Sequence, residues 1–134
     1  MCRDYVVPTV SAPELVIEAT DDEIAAEQTA SYPNGYLESL AIYRKIAVKM
    51  FEYNGFLMHS VIIETDNTGI GFFAKSGVGK STHALLWKEL LRDKLTVING
   101  DKPLVRFSDG KVYAYGTPWA GKEGAQTNNR TSLK

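Results

Sequence analysis

Gly71-Phe72-Phe73-Ala74-Lys75-Ser76-Gly77-Val78-Gly79-Lys80-Ser81-Thr82-His83 is the stretch on which the fold of this 134-residue chain turns. An apolar run, Ile70 to Ala74, passes into two glycines separated by one residue, then a lysine, a serine and a helical pattern from Thr82 to Arg92. Ala74 to Ser81 fits the phosphate-loop (Walker A) pattern GxxxxGK[ST], with a small alanine at the first position, where glycine is commonest. Gly77 and Gly79 are free to take positive φ, which turns successive backbone N–H groups of Ser76 to Ser81, Val78 included, toward one anion at the mouth of a helix. Lys80 is then placed to reach β- and γ-phosphates, the Ser81 hydroxyl to ligate Mg²⁺, and Thr82 to make a weaker phosphate contact. The plainer alternative is a Gly-Ser turn carrying a solvated lysine.

Upstream, Phe56 to Ile63 is nearly continuous apolar sequence and reads as a strand buried on both faces. Only Glu64 to Gly69 separates it from the strand at Ile70, too few residues for a parallel crossover, so the two form an antiparallel hairpin. Downstream, Ala84, Leu86, Trp87, Leu90 and Leu91 form the expected apolar face of the helix, followed by a strand from Leu95 to Ile98. That strand has room to run parallel to Ile70–Ala74. Its end, Asn99-Gly100-Asp101, then falls on the phosphate side of the sheet, where Asp101 can bind Mg²⁺ directly, act through water, or accept a hydroxyl proton. A turn cap before Pro103 is the alternative. Ser108-Asp109-Gly110-Lys111 predicts a second hairpin between Leu104–Phe107 and Val112–Tyr115. The sum is an α/β fold with a mixed β-sheet, read as one domain over 1–134.

Nearer the start, Leu15 to Glu18 reads as a short strand, and Asp21-Asp22-Glu23 as the acidic start of a helix from Ile24 to Thr29. Ser31-Tyr32-Pro33-Asn34-Gly35 reads as a loop. Tyr36, Leu40, Tyr43, Ala47 and Met50 recur at helical spacing. His59, within the apolar strand, is either a hydrogen-bonded core residue or a catalytic or substrate-contacting one. Gly116-Thr117-Pro118-Trp119-Ala120-Gly121-Lys122 opens a polar tail; Trp119 and Lys122 either contact substrate or belong to a surface loop.

The formal charge of −1 offers no basic field for nucleic acid or an anionic membrane. Cys2 is the single cysteine, and no apolar run approaches the roughly 18 residues of a membrane span, which together predict a cytoplasmic protein without disulfides.

The blocks His59-Ser60-Val61, Ala74 to His83, Asn99-Gly100-Asp101-Lys102-Pro103-Leu104 and Tyr115 to Lys122 together resemble the HPr kinase and phosphoenolpyruvate carboxykinase superfamily, in particular its HPr-serine-kinase-like bacterial members. The likeness spans roughly Tyr36 to Lys122. It implies an ATP-dependent (or GTP-dependent), Mg²⁺-requiring kinase fold in which Lys80 and Ser81 handle phosphate and metal. Asp101 would serve the metal or the nucleophile, and His59 would lie near the acceptor, a protein serine or a small metabolite. Two departures stand out. Such proteins usually carry two adjacent acids at the end of the second strand, and here the first is Gly100. They also continue well past the Gly-Thr-Pro-Trp block, so the expectation is the front part of a longer fold, its apolar strands covered by elements beyond Lys134 and prone to homo-oligomerise alone. Two other readings stay open: a nucleotide-binding or regulatory module without catalysis, and a carboxykinase acting on oxaloacetate.

Overall fold

The computed structural model describes residues 2–9, 12–28 and 31–134. In chain order the sequence forms α1 (Asp21–Ala26), α2 (Asn34–Lys49), β1 (Gly55–Leu57), β2 (Ser60–Thr65), β3 (Thr68–Phe73), α3 (Lys80–Leu91), β4 (Leu95–Asn99), β5 (Leu104–Ser108), β6 (Lys111–Tyr115) and β7 (Arg130–Leu133). This is an α/β fold with a mixed seven-stranded sheet in the order β1-β5-β6-β7-β3-β2-β4. Two units divide the chain: Met1–Val6 with Asn54–Lys134, which holds the whole sheet and α3, and Val7–Tyr53, which holds α1 and α2. No helix among the described residues is long and apolar enough to cross a membrane.

Both expected hairpins form, the first with a tighter connection than expected, since β2 runs on to Thr65 and β3 starts at Thr68. Asp66 and Asn67 join β2 to β3 with φ of 49° and 56°, and Asp109 and Gly110 join β5 to β6 with φ of 52° and 72°. Two successive positive-φ residues twist a two-residue turn in the same sense as the strands it joins, which is why Asx and Gly recur there.

β2 is buried on both faces, as its composition predicts. Val61 and Ile63 pack with Ala84 and Leu95, and Phe72, Trp87 and Leu91 close around them beneath α3. Ile62 points the other way, into a cluster with Ile98, Ala114 and Leu133. That second cluster brings residues of β4 and β6 together, strands far apart in sheet order. Within β2 and β4, Val61, Ile62, Ile63, Leu95 and Ile98 are buried.

Other expectations change as well. The single strand Phe56–Ile63 is two, because Met58 and His59 separate β1 from β2. Met58 N–H donates to the Pro103 carbonyl (3.1 Å) and Ser60 N–H to that of Asp101 (3.0 Å), but Pro103 has no N–H to return, so the ladder is interrupted there. The polar tail returns as β7, with Thr131 and Leu133 turned inward and the Arg130 guanidinium 4.9 Å from the centre of the Tyr113 ring. On α3, Leu86 and Leu90 are 57% and 79% exposed rather than core. At about 100° per residue they stand on the far side of the helix from Ala84. Leu15–Glu18 forms no strand.

In the second unit, the Thr20 hydroxyl accepts from Glu23 N–H (3.3 Å) while the Glu23 carboxylate accepts from Thr20 N–H (2.8 Å), a capping box that starts α1. Lys45 of α2 bonds the same carboxylate at 2.8 Å and, ahead of the Thr20 backbone contact, holds the Glu23 carboxyl below its ordinary value. Glu27 pairs with Arg44. α1 ends at Ala26, and Thr29 lies outside the described residues. α2 begins within the expected loop, at Asn34, behind Pro33. Its first turn tolerates Asn34 and Gly35 because those N–H groups have no helical partner in any case. The buried positions are Leu37, Ser39 and Ala41, whereas Tyr36, expected inside, is exposed.

α3 ends in a strained residue. Arg92 has φ 50° and ψ −119°, a region that suits glycine and penalises any Cβ. Arg92→Gly is expected to raise the unfolding free energy by about 1 kcal/mol, the relieved strain exceeding the added chain entropy. A urea midpoint that falls instead would show that Arg92 makes compensating contacts.

Candidate functional site

β3 ends at Phe73 and α3 begins at Lys80, so the 74–81 segment, a loop over 74–79 and the first two residues of α3, connects a strand directly to a helix N-terminus. Gly77 and Gly79 have φ of 83° and 95°, the left-handed region in which consecutive N–H groups converge. Gly79 is the N-cap of α3 and gives it no side-chain cap, which leaves the first-turn N–H groups available to a ligand. The Lys80 ammonium folds over the loop and donates to the carbonyls of Ala74 (2.9 Å) and Lys75 (3.2 Å).

β2 is antiparallel to both β3 and β4, so those two strands run the same way and end at the same edge. A cleft of about 410 Å³ opens there. Ser76, Gly77, Gly79, Lys80, Ser81 and Thr82 form one wall. His59, Gly100 and Asp101 form the second, and Gly121, Lys122 and Glu123 the third. Of the residues singled out in the sequence, only Val78 and Trp119 do not line it. Val78 faces a neighbouring cleft, and Trp119 is half-buried with its N–H donating to the Thr117 hydroxyl at 3.3 Å.

Asp101 is held from both sides. One carboxylate oxygen lies 3.1 Å from His59 Nε2 and the other 2.5 Å from Lys102 Nζ. His59 is half exposed toward the cleft, whereas Asp101 is mostly buried. A carboxylate beside an imidazole at an open cleft is one arrangement that can accept a proton from a hydroxyl.

The residue that builds this geometry, Asn99, was not distinguished by its sequence. It is fully buried, its side-chain oxygen accepts from the N–H groups of Asp101 (2.9 Å) and Lys102 (2.7 Å), and its amide donates to the Thr117 carbonyl (3.0 Å) and hydroxyl (3.1 Å). Thr117 then donates to the Lys102 carbonyl at 2.6 Å. An Asn two residues before a turn is a recognisable signal for such an Asx-type bond, but its link to Thr117 is tertiary. Asn99→Ala strands several buried polar groups and is expected to cost about 3 kcal/mol of stability, measurable by urea denaturation. A cost below about 1 kcal/mol would mean that water replaces the amide. Glu123 was also missed, because an exposed acid in a glycine-rich loop carries no pattern of its own.

Compared with known proteins, the chain matches no protein-family model and no curated protein.

Proposed function

We propose that the chain binds a Mg²⁺–nucleoside triphosphate on the 74–81 loop and transfers its γ-phosphoryl group to a serine hydroxyl or a small metabolite. The observation that carries this reading is the shared cleft: Lys80 and Ser81, at the start of α3, face the His59–Asp101 pair across one opening. Backbone N–H groups and Lys80 would hold the phosphates. Ser81 and Asp101 offer the hard oxygen donors that suit Mg²⁺, and among the described residues no group of three His, Cys, Asp or Glu side chains could hold a metal unaided. The nucleotide's own phosphates would complete that coordination, and the ion would neutralise charge on them. In the transfer, the acceptor oxygen bonds to the γ-phosphorus as the bridging P–O bond breaks. The hydroxyl proton passes to the His59–Asp101 pair, and the nucleoside diphosphate leaves.

Incubation with γ-labelled ATP, Mg²⁺ and cell extract tests the reading through the label acquired by an acceptor. Asp101→Asn should keep nucleotide affinity within about twofold yet lower label transfer by at least about a hundredfold, the scale of a lost acid–base group. A variant as active as the parent removes Asp101 from the chemistry, and failure of the wild type to bind Mg²⁺–ATP in calorimetry removes the whole reading.

A second reading, nucleotide binding without turnover, is favoured by Gly100. A Cβ there would stand 3.1 Å from the Ala125 carbonyl oxygen and 3.2 Å from that of Ala120, so this backbone has little room for the second acid found in the resembling family.

A further inference from the structure

A second cleft, open and of about 690 Å³, lies against the first. Gly79, Lys80 and Thr82 line both. Otherwise its walls are apolar and aromatic: Phe72, Phe73, Val78, His83 and Leu86. Phe73, Val78 and Leu86 are 55%, 61% and 57% exposed, although each is large enough to have been buried. The one side chain here with hydrogen-bonding ring nitrogens is partly engaged, since His83 Nε2 accepts from the Trp87 indole N–H at 3.1 Å and its ring meets Phe72 edge-on at 4.8 Å.

From this arrangement we infer that the second cleft receives the base of the nucleotide whose phosphates occupy the first. The inference rests on the phosphate-binding reading of the 74–81 loop. A ligand with a polyanionic end and a flat apolar end matches two clefts of those characters that meet at Gly79, Lys80 and Thr82. With its phosphates over Gly77, Gly79 and the α3 N-terminus, the nearer end of its chain meets Thr82, and the nucleoside continues toward Val78, Phe73 and Leu86. These walls offer π-faces and alkyl groups rather than a set of donors and acceptors matched to one base edge. Every base has a π-face, so such a cleft rewards the presence of a base without distinguishing adenine from guanine.

The test is calorimetric titration of the full chain with Mg²⁺–ATP, Mg²⁺–GTP and Mg²⁺–tripolyphosphate, the last having the anionic end alone. ATP and GTP are expected to bind within about threefold of each other and at least about tenfold more tightly than tripolyphosphate, the scale of one stacked base. Phe73→Ala and, separately, Leu86→Ser should each erase most of that margin while tripolyphosphate affinity stays as in the wild type. Because both side chains are exposed, at least one variant should unfold at the parent's temperature, and that one decides the comparison. Equal affinity of the wild type for ATP and tripolyphosphate overturns the inference and leaves phosphate binding standing. So does a loss in a folded variant that falls equally on both ligands, or a strong preference for one purine. Absence of tripolyphosphate and nucleotide binding alike overturns both readings.

Discussion

Lys80→Ala is expected to weaken Mg²⁺–nucleotide binding by about a hundredfold or more while leaving the fold intact. The Lys80 ammonium is already gathered over the loop by the Ala74 and Lys75 carbonyls, so it has a short path to a phosphate bound on the same backbone. Binding would exchange two bonds to neutral carbonyls for contacts with a polyanion, and charge-assisted bonds of that kind are worth about 1.5–3 kcal/mol each. Roughly 3 kcal/mol corresponds to about two orders of magnitude in Kd. The released carbonyls belong to an exposed loop and can bond water, so stability should hardly change. Lys80→Arg should recover little, because a rigid guanidinium fork does not occupy the place of a compact ammonium. Calorimetry on the three proteins decides the matter, and equal affinity for parent and alanine variant would dispose of the phosphate-loop reading.

The other large effect concerns folding. Gly116 lies where three segments meet: its N–H donates to the Asn129 carbonyl (2.9 Å), and Thr127, whose own N–H donates to the Ile98 carbonyl (3.1 Å), passes directly beside it. A Cβ at residue 116 would stand 1.8 Å from the Thr127 carbonyl oxygen and 2.6 Å from that of Ile98. Both obstacles are backbone, tied to strands on either side, so no rotamer change relieves them. Gly116→Ala is therefore expected to cost more than about 3 kcal/mol, the upper end for overpacked sites, a large part of the roughly 5–15 kcal/mol that holds a domain together. Loss of the cooperative unfolding transition, or of soluble expression, is the anticipated result. An alanine variant with the parent's urea midpoint would show that the 126–129 segment can move away from β4 freely.

Local signals in this sequence translated well into structure. Asp66-Asn67 and Asp109-Gly110 encode their hairpins in two residues each, and the apolar run ending at Ile63 encodes a doubly buried strand. The shared direction of β3 and β4 followed from segment length, and with it the meeting of Ser81 and Asp101 at one sheet edge. Thr20 and Glu23 spelled a capping box that the neighbouring acids obscured. What could not be read depended on partners distant in sequence. Arg130–Leu133 alternates for only four residues and becomes a strand because β6 and β3 leave a space between them. The break at Met58–His59 depends on Pro103, and the inward face of α3 on where the sheet happens to lie. Asn99 acquires its role only when Thr117 comes alongside.

The insertion of β7 between β6 and β3 also bears on the order in which the molecule can assemble. Hairpins β2–β3 and β5–β6 close over two-residue turns, so their ends meet at almost no entropic cost. Gly69 and Leu133, which pair β3 with β7, must find one another across α3 and three further strands. Such long-range closure raises contact order, and this parallel contact, a single residue pair between β3 and β7, is the kind that forms slowly. Until it forms, β3 has an unpaired edge, and an open edge is a template on which a second chain can pair. The loop that follows Phe73 thus hangs from a strand whose local partner comes early and whose distant partner comes late, which makes refolding concentration, rather than temperature alone, the variable to control when this protein is prepared.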